Sequence, residues 1–516
     1  MNKLEQAYEA WKEISKLETD SVTAEEEKAA STLYELLIQE GEDLKESFAN
    51  AIYNELSGNL CHKIWMYSFV LAIFPKAEWA KEQLEMLLKT EELNWKILYF
   101  LYGQIACNIF RESKLETKEN IYLKWCLLDK IDQMCKPEIA VPLHRIPKQE
   151  RDENMAVVLV EQFLSDAHGP TKTALDRCHI LRTVLGKKVL LINTAELMTT
   201  SASIPYFGML CGSYFPALTE QTMQYWKNEA IPYFQCDNNM PDKEMMEMLL
   251  QTIQQLRPGI VVCVGGSSLF AGLVNELVPV LTVGTTSSGL VTTLGDYQIV
   301  SKQFIAENED IVRKVNRSAN HMIEGELTYS LKQQTEFVTR TDVGLPEQAF
   351  VIGVVGARLD TEITEELLTL LEQIVSEDIV VFIIGNYDCY EKSMEKHPSL
   401  KKYVYYKGFC GDILSRIELC DLYLNPLRKG GGTSAVEAMY KGKPVVSIHY
   451  GDVSGIVGDD FCCANYAEME QTIKHYAVDS EYYEIQSQKA KQLSEKYLDS
   501  EQEFKRIVEE YLTIMD

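Results

Sequence analysis

Between about residues 3 and 136, apolar side chains recur at three- and four-residue intervals among charged ones, and Pro75 is the one proline. That spacing lines one face of a helix, so the segment is predicted to be all-α with almost no strand. Trp65, Trp95 and Trp125 lie thirty residues apart, each in an apolar stretch. The regular interval hints at stacked helical hairpins, and large core fillers would give the same pattern. Residues 137–153, with several prolines and charges, read as a linker.

The pattern then changes. Short continuous apolar runs at 155–160 and 188–192 flank a helical stretch at 171–185, which makes a β-α-β unit and the start of a parallel sheet. Further strands are predicted over 260–264, 280–283 and 297–300. After the polar stretch Gln333-Gln334-Thr335, a second alternating series begins, with strands over 350–356, 379–384, 403–406, 421–424 and 445–448. The expected fold class is α/β: two tandem Rossmann-like, doubly wound parallel sheets facing a cleft, preceded by an all-α domain. The expected boundaries are 1–150, 151–340 and 341–516, with an amphipathic helical tail over 481–515.

A chain of 516 residues is long enough for roughly three cores. Its formal net charge of -27 repels a nucleic-acid backbone and an anionic membrane surface, so neither is an expected partner. The start Met1-Asn2-Lys3-Leu4-Glu5 is charged rather than signal-like, and apolar stretches such as 64–74 are too short to span a bilayer. A cytoplasmic protein without a transmembrane segment is expected. The 13 cysteines form no C-x-x-C pair, and Cys462-Cys463 has no histidine at ligand spacing. They read as reduced, packed thiols, with no metal site.

The richest stretch runs Asn425-Pro426-Leu427-Arg428-Lys429-Gly430-Gly431-Gly432-Thr433-Ser434-Ala435-Val436-Glu437, closed by Gly442-Lys443-Pro444-Val445-Val446. It follows a strand signal. Glycines let backbone N–H groups approach a ligand closely, and Thr433 and Ser434 are placed to cap the helix that follows. A helix N-terminus offers unpaired N–H donors and partial positive charge, which favours phosphate. Glu437 falls one turn into that helix, where a carboxylate can accept hydrogen bonds from ribose hydroxyls. Arg358 stands just past another strand end, in Val355-Gly356-Ala357-Arg358, placed to pair with a diphosphate oxygen. Gly385 and Asn386 follow a third strand end, and Gly408 and Phe409 a fourth.

These residues resemble the C-terminal donor site of two-Rossmann-domain (GT-B) glycosyltransferases, most specifically between about residues 351 and 458. The resemblance implies that Gly431, Gly432, Thr433 and Ser434 hold the donor diphosphate and Glu437 the ribose. It also implies that Arg358 stabilises the leaving group and that the loop at Gly408 and Phe409 packs around the base. Arg428, Gly385 and Asn386 are counted with this donor site. Many retaining members carry a glutamate eight residues before the ribose carboxylate, where this chain has Lys429. In the family a helical tail packs back across the interdomain hinge.

On the other half, the loop Ser165-Asp166-Ala167-His168-Gly169-Pro170-Thr171 resembles the acceptor-side loop of the family. His168 is the expected general base, with Asp166 to orient it. Gly265-Gly266-Ser267-Ser268 and Gly284-Thr285-Thr286-Ser287-Ser288-Gly289 also follow strands and offer small hydroxyls to the cleft. The expectation is a metal-independent glycosyltransferase that moves a sugar from a nucleotide-diphosphate donor, with UDP favoured, to an acceptor that includes proteins. The helical domain is expected to be a separable docking module. The rival readings are a nucleotide-sugar 2-epimerase and a non-catalytic GT-B-like subunit. Oligomeric state, donor base and sugar, and retention or inversion of configuration stay open.

Overall fold

The computed structural model describes residues 3–15, 22–165, 168–198, 204–209, 212–286, 291–301, 310–311, 313–315 and 321–515. Among these, seven α-helices precede the first strand: Lys3–Ser15, Ala24–Leu37, Glu42–Tyr53, Leu60–Ile73, Ala77–Lys89, Trp95–Arg111 and Lys118–Cys135. Asn59, Asn94 and Thr117 cap three of them through side-chain oxygens that accept a backbone N–H. Trp65, Trp95 and Trp125 are all fully buried, yet they fall at different places within their helices. They fill a core rather than mark a repeat.

Two sheets follow. The first contains β1 (Asp152–Val160), β2 (Lys188–Asn193), β3 (Met223–Trp226), β4 (Glu229–Gln235), β5 (Pro258–Val264), β6 (Val280–Val283), β7 (Tyr297–Val300) and β8 (Met322–Glu324). Its order is β3-β4-β2-β1-β5-β6-β7-β8, parallel except for the edge pair β3-β4. The second contains β9 (Phe350–Gly356), β10 (Ile379–Gly385), β11 (Val404–Lys407), β12 (Leu422–Leu424), β13 (Val445–Ile448) and β14 (Cys462–Cys463), in the order β11-β10-β9-β12-β13-β14, all parallel. Central strands such as β5 and β10 are apolar at nearly every position because both faces are covered.

The order of each sheet reverses once. β1 lies between β2 and β5, and β9 lies between β10 and β12. Open parallel sheets bind ligands outside the carboxyl ends of the strands at such a reversal. Here the loops after β1 and β5 and the loops after β9 and β12 line one shared cleft of ≈ 1640 Å³.

Periodicity missed β3, β4, β8 and β14, which lie at or beside a sheet edge. β4 carries Pro232, which normally argues against a strand, but its partner β3 is the sheet's edge. The β3-β4 turn is made by Lys227 and Asn228, both with positive φ (46 and 67). β8 and β14 are too short to show a pattern. Cys462 and Cys463 form β14 as packed, unpaired thiols.

The helical region is not a detached module. One continuous apolar core joins Phe69, Leu98, Leu101 and Leu128 to Val157 and Leu159 of β1, Val261 of β5 and Leu273 of the helix Leu269–Asn275. Polar ties cross the same boundary: Trp125 Nε1–H donates to the Thr293 carbonyl (2.9 Å), and Lys136 pairs with Glu276 (2.6 Å). The other face of the first sheet is covered by the helix Gly169–Thr183 and by the last helix, Ser500–Ile514, whose Phe504, Ile507, Val508 and Tyr511 are buried there. The tail therefore leaves the second sheet and returns to the first.

This packing reverses the expectation of a separable helical domain. Removing residues 1–150 should expose the apolar face of β1 and β5 and leave a protein without a cooperative thermal transition. A truncated chain that melts cooperatively near the full-length Tm and binds a nucleoside diphosphate as tightly would show the region to be separable.

Candidate active site

The loop after β12 is built around one buried cation. Arg428 is 8% exposed, and its guanidinium donates from Nε to Asn425 Oδ1 (2.9 Å), from Nη1 to Glu362 Oε2 (2.6 Å), and from Nη2 to the Val355 carbonyl (2.9 Å) and Tyr423 Oη (2.7 Å). Four of its five N–H donors are thus met inside the protein. Arg428 lines the cleft and is at the same time a strut that shapes the turn. Gly431 wraps over it with φ 104, and a β-carbon there would lie 2.6 Å from Arg428 Nε.

The helix Gly432–Tyr440 starts directly behind this turn. Gly431 is its N-cap and provides no side-chain hydrogen bond. Thr433 and Ser434 lie inside the helix, so the predicted hydroxyl cap is also corrected: the first-turn N–H groups carry no side-chain cap and line the cleft. Tyr329 stands against them. Its hydroxyl is buried and has no hydrogen-bond partner among the described residues, and it would collide with any β-carbon at Gly432. An orphaned hydroxyl beside open helix N–H groups is a site shaped for an oxygen-rich anion.

Glu437 sits one turn on and is buried. Lys172 Nζ, from the helix Gly169–Thr183 of the first sheet, donates to its Oε1 (2.9 Å), with the two side chains 9% and 4% exposed. This ion pair ties the two halves together across the cleft. Arg358 is 47% exposed on its side chain, donates to Glu362 Oε1 from Nη2 (3.1 Å), and lies 5.4 Å from the ring centre of Phe110 in the helical region. Glu362 thus receives both the buried Arg428 and the cleft-facing Arg358.

Lys429 pairs with Glu116 and lies 5.9 Å from the Phe110 ring centre. Lys124, on the helix Lys118–Cys135, is pushed down to about 8 by burial and then by the nearby Lys429. Tyr99, Tyr102, Cys107, Phe110 and Arg111 of the helix Trp95–Arg111 line the cleft beside them. Sequence reading missed this wall entirely, because its residues belong to an ordinary amphipathic pattern.

The remaining predicted residues divide. Gly385 and Asn386 line the cleft, as does Phe409, which is 64% exposed. Gly408 is exposed and lies outside the lining, and the cleft side of that loop begins at Phe409. His168 lines the cleft, and its Nδ1 meets Thr171 Oγ1 at 3.0 Å. Thr171 Oγ1 also accepts the Leu164 N–H (3.0 Å), so the hydroxyl beside the imidazole is itself held in place. Burial, then the charge of Arg358, lowers His168 to about 4. The imidazole is thus held neutral at neutral pH, with Nδ1 turned to Thr171. Asp166 and residues 287–290 lie outside the described residues.

At the end of β1, Glu161 also lines the cleft and was not singled out from sequence, where it reads as the polar end of an apolar run. Glu196 lies near it, accepting from Ser268 Oγ (2.6 Å) and the Phe270 N–H (2.9 Å).

Residues 336–495 match the family model described as glycosyl transferases group 1. A comparison with curated proteins finds no match. Among solved structures, a mutant of Thermobaculum terrenum O-GlcNAc transferase superposes with TM-score 0.53 at 12% identity, over 99% of this chain and 98% of that one. Anabaena Alr3699/HepE, solved with UDP and glucose, gives 0.51 at 14% identity over 70% and 100% of the two chains. A glycosyltransferase from Rickettsia africae gives 0.52 at 10%, over 70% and 100%. The two facing parallel sheets give the chain the GT-B fold, and the group 1 segment over residues 336–495, which contains the glycine-rich turn, marks it as a glycosyltransferase.

Proposed function

We propose that the protein transfers a sugar from a nucleoside-diphosphate sugar, a UDP-sugar in the favoured reading, to a hydroxyl on a protein. The observation that carries this reading is the helix N-terminus at Gly432, uncapped by any side chain, with the orphaned Tyr329 hydroxyl against it. The diphosphate is assigned to Gly431, Gly432, Thr433 and Ser434, the ribose to Glu437, and the growing charge on the leaving diphosphate to Arg358. Burying the nucleotide there puts its anionic end against protein dipoles and cations, the role a metal ion has in other transferases. His168 lines the same cleft. A UDP-bound neighbour of the same fold supports the base. A cleft of ≈ 1640 Å³ exceeds ordinary small-ligand pockets, and with a helical region shared along an O-GlcNAc transferase it supports a polypeptide acceptor. No helix among the described residues is long and apolar enough to cross a membrane, which is compatible with the cytoplasmic setting we assign. Calorimetry with UDP, GDP and dTDP, then release assays on the sugars of the best binder, tests the reading; no binding of any of the three would reject it.

Glu437→Ala should weaken binding of the best nucleoside diphosphate by roughly 1–3 kcal/mol, because a charged acceptor to ribose is lost. It should also lower Tm, since Lys172 is left buried without its partner. Lys172→Met is the control: it breaks the same ion pair but should keep most of the affinity. Equal affinity losses in both variants would mean that Glu437 acts only through the ion pair.

Arg358→Ala should lower turnover more than donor affinity, because charge on the leaving group is greatest in the transition state. Arg358→Lys should restore only part of the rate, since bidentate geometry is lost. Unchanged turnover in both variants would reduce Arg358 to a partner of Glu362.

The lowered His168 also fixes a sign for stability. The unfolded chain protonates this histidine near its ordinary value of 6.5, and the folded protein resists until about 4. Its contribution is therefore full above pH 6.5 and is lost as pH falls toward 4. Denaturant titrations at pH 7.5 and 5 should show a smaller stability difference in His168→Asn than in the parent. An identical difference in the two proteins would show that the imidazole titrates normally.

A further inference from the structure

We infer that Glu161 binds the acceptor hydroxyl and takes its proton, in a subsite that the helical region completes through Tyr99 and Tyr102. The inference deepens the proposed transfer and rests on that reading, because it names acceptor-side chemistry in the same cleft.

Each sheet has one order reversal facing the cleft, and the donor assignment uses only that of the second sheet. At the other reversal, Glu161 follows β1 and the loop Gly265-Gly266-Ser267 follows β5. The two are joined: Gly266 N–H donates to Glu161 Oε2 (3.1 Å), and a β-carbon at Gly265 (φ 126) would lie 2.7 Å from that oxygen. Ser267 holds φ 66, uncommon for a residue with a side chain. Its N–H donates to the Thr292 carbonyl (2.7 Å), Tyr99 Oη–H donates to its carbonyl (3.0 Å), and Tyr102 Oη meets its Oγ at 2.6 Å. Two tyrosines of the helical region thus bolt down the strained loop that grips this carboxyl.

The neighbouring acid sets the contrast. Glu196 spends both oxygens on Ser268 Oγ and the Phe270 N–H and serves as a structural group. Glu161 is 7% exposed, lines the cleft, takes the single Gly266 hydrogen bond and has no cation beside it among the described residues. A desolvated carboxyl with unused acceptor capacity is costly as a structural element and well placed as a reacting one. The titratable groups around it are Glu196, Tyr99, Tyr102, Cys107 and Cys263, none of them cationic. Burial, then Glu196, raises Glu161 well above the usual carboxylate range. It therefore titrates far from His168, near 4.

In the step assigned to it, the acceptor oxygen forms a bond to the anomeric carbon while its proton passes to the Glu161 carboxylate. The bond from that carbon to the diphosphate oxygen breaks, and the nucleoside diphosphate leaves with the electron pair. Glu161 must be ionised to act, so the rate rises with pH through its raised range.

The test uses the full chain and its Glu161→Gln variant, with UDP, GDP and dTDP affinities from calorimetry and release of UDP from UDP-glucose and UDP-N-acetylglucosamine, water standing in for the acceptor. The variant should bind the nucleotide within about twofold of the parent, release it about 10²–10⁴-fold more slowly, and lack the rising limb of the parent's pH–rate profile. His168→Asn should keep that limb. Equal rates in parent and Glu161→Gln at every pH, zero included, overturn the inference alone. A variant that loses nucleotide affinity in step with rate would place Glu161 in the donor site and also overturn it. A parent that binds none of the three nucleotides overturns the donor reading, and this inference with it.

Discussion

The buried guanidinium of Arg428 is the constraint on which the donor side depends. A charge withdrawn from water is tolerable only when its hydrogen bonds are met, and Asn425, Glu362, Val355 and Tyr423 meet them from the ends of both β9 and β12. Those strands flank the order reversal of the second sheet. One side chain therefore holds the crevice open to a fixed width and forces the chain over itself at Gly431. The helix N–H groups at Gly432 face the cleft because the turn before them is already occupied by an arginine. Glu362, shared with Arg428, then sets where Arg358 stands. The reacting surface is thus preorganised by groups that need never touch a ligand.

The same economy explains the helical region. A parallel sheet must be covered on both faces. One face of the first sheet is taken by the helices Gly169–Thr183 and Ser500–Ile514, and the other by Lys243–Leu256, Leu269–Asn275 and the seven N-terminal helices. The helix Trp95–Arg111 gives Leu98, Leu101 and Ile105 to the core and Tyr99, Tyr102, Cys107, Phe110 and Arg111 to the cleft wall. Core cover and substrate wall are interleaved on one helix, which is why the boundary near residue 150 is a change in pattern without being a break in packing.

Much of this was legible in the chain. The switch from a helical period to short apolar runs located ten strands to within a few residues, because burial of both faces leaves a strong, context-free signal. Strands at or beside a sheet edge were the ones that escaped: β4, next to the edge strand β3, contains Pro232, and the edge strand β14 has two residues. Glycine and acid spacing located the donor turn, but could not say that Arg428 points inward or that Thr433 sits past the cap. Both depend on the long-range partners Glu362 and Val355. Tyr329 and Glu161 left no trace because neither belongs to a motif, one standing in the mixed segment Glu326-Leu327-Thr328-Tyr329-Ser330 and the other at the polar end of an apolar run, and the meaning of each lies in what is missing around it.

Charge completes the connection between fold and chemistry. The chain carries a net charge of -27, yet the cleft lining has eight lysines and arginines against seven acids. An anionic donor approaching this protein is repelled by the surface at large and meets near-neutrality only at the cleft, which focuses its arrival there. Two of the seven acids, Glu161 and Glu196, lie in an environment that favours the protonated form, so they add less repulsion than their number implies. Cations are concentrated instead where the helical region meets the glycine-rich turn, at Arg111, Lys124, Arg358 and Lys429. The low dielectric that strengthens their pull on a diphosphate is the same burial that raises Glu161. Donor attraction and the shifted carboxyl are therefore two consequences of a single enclosure, and opening the cleft to water would weaken both together.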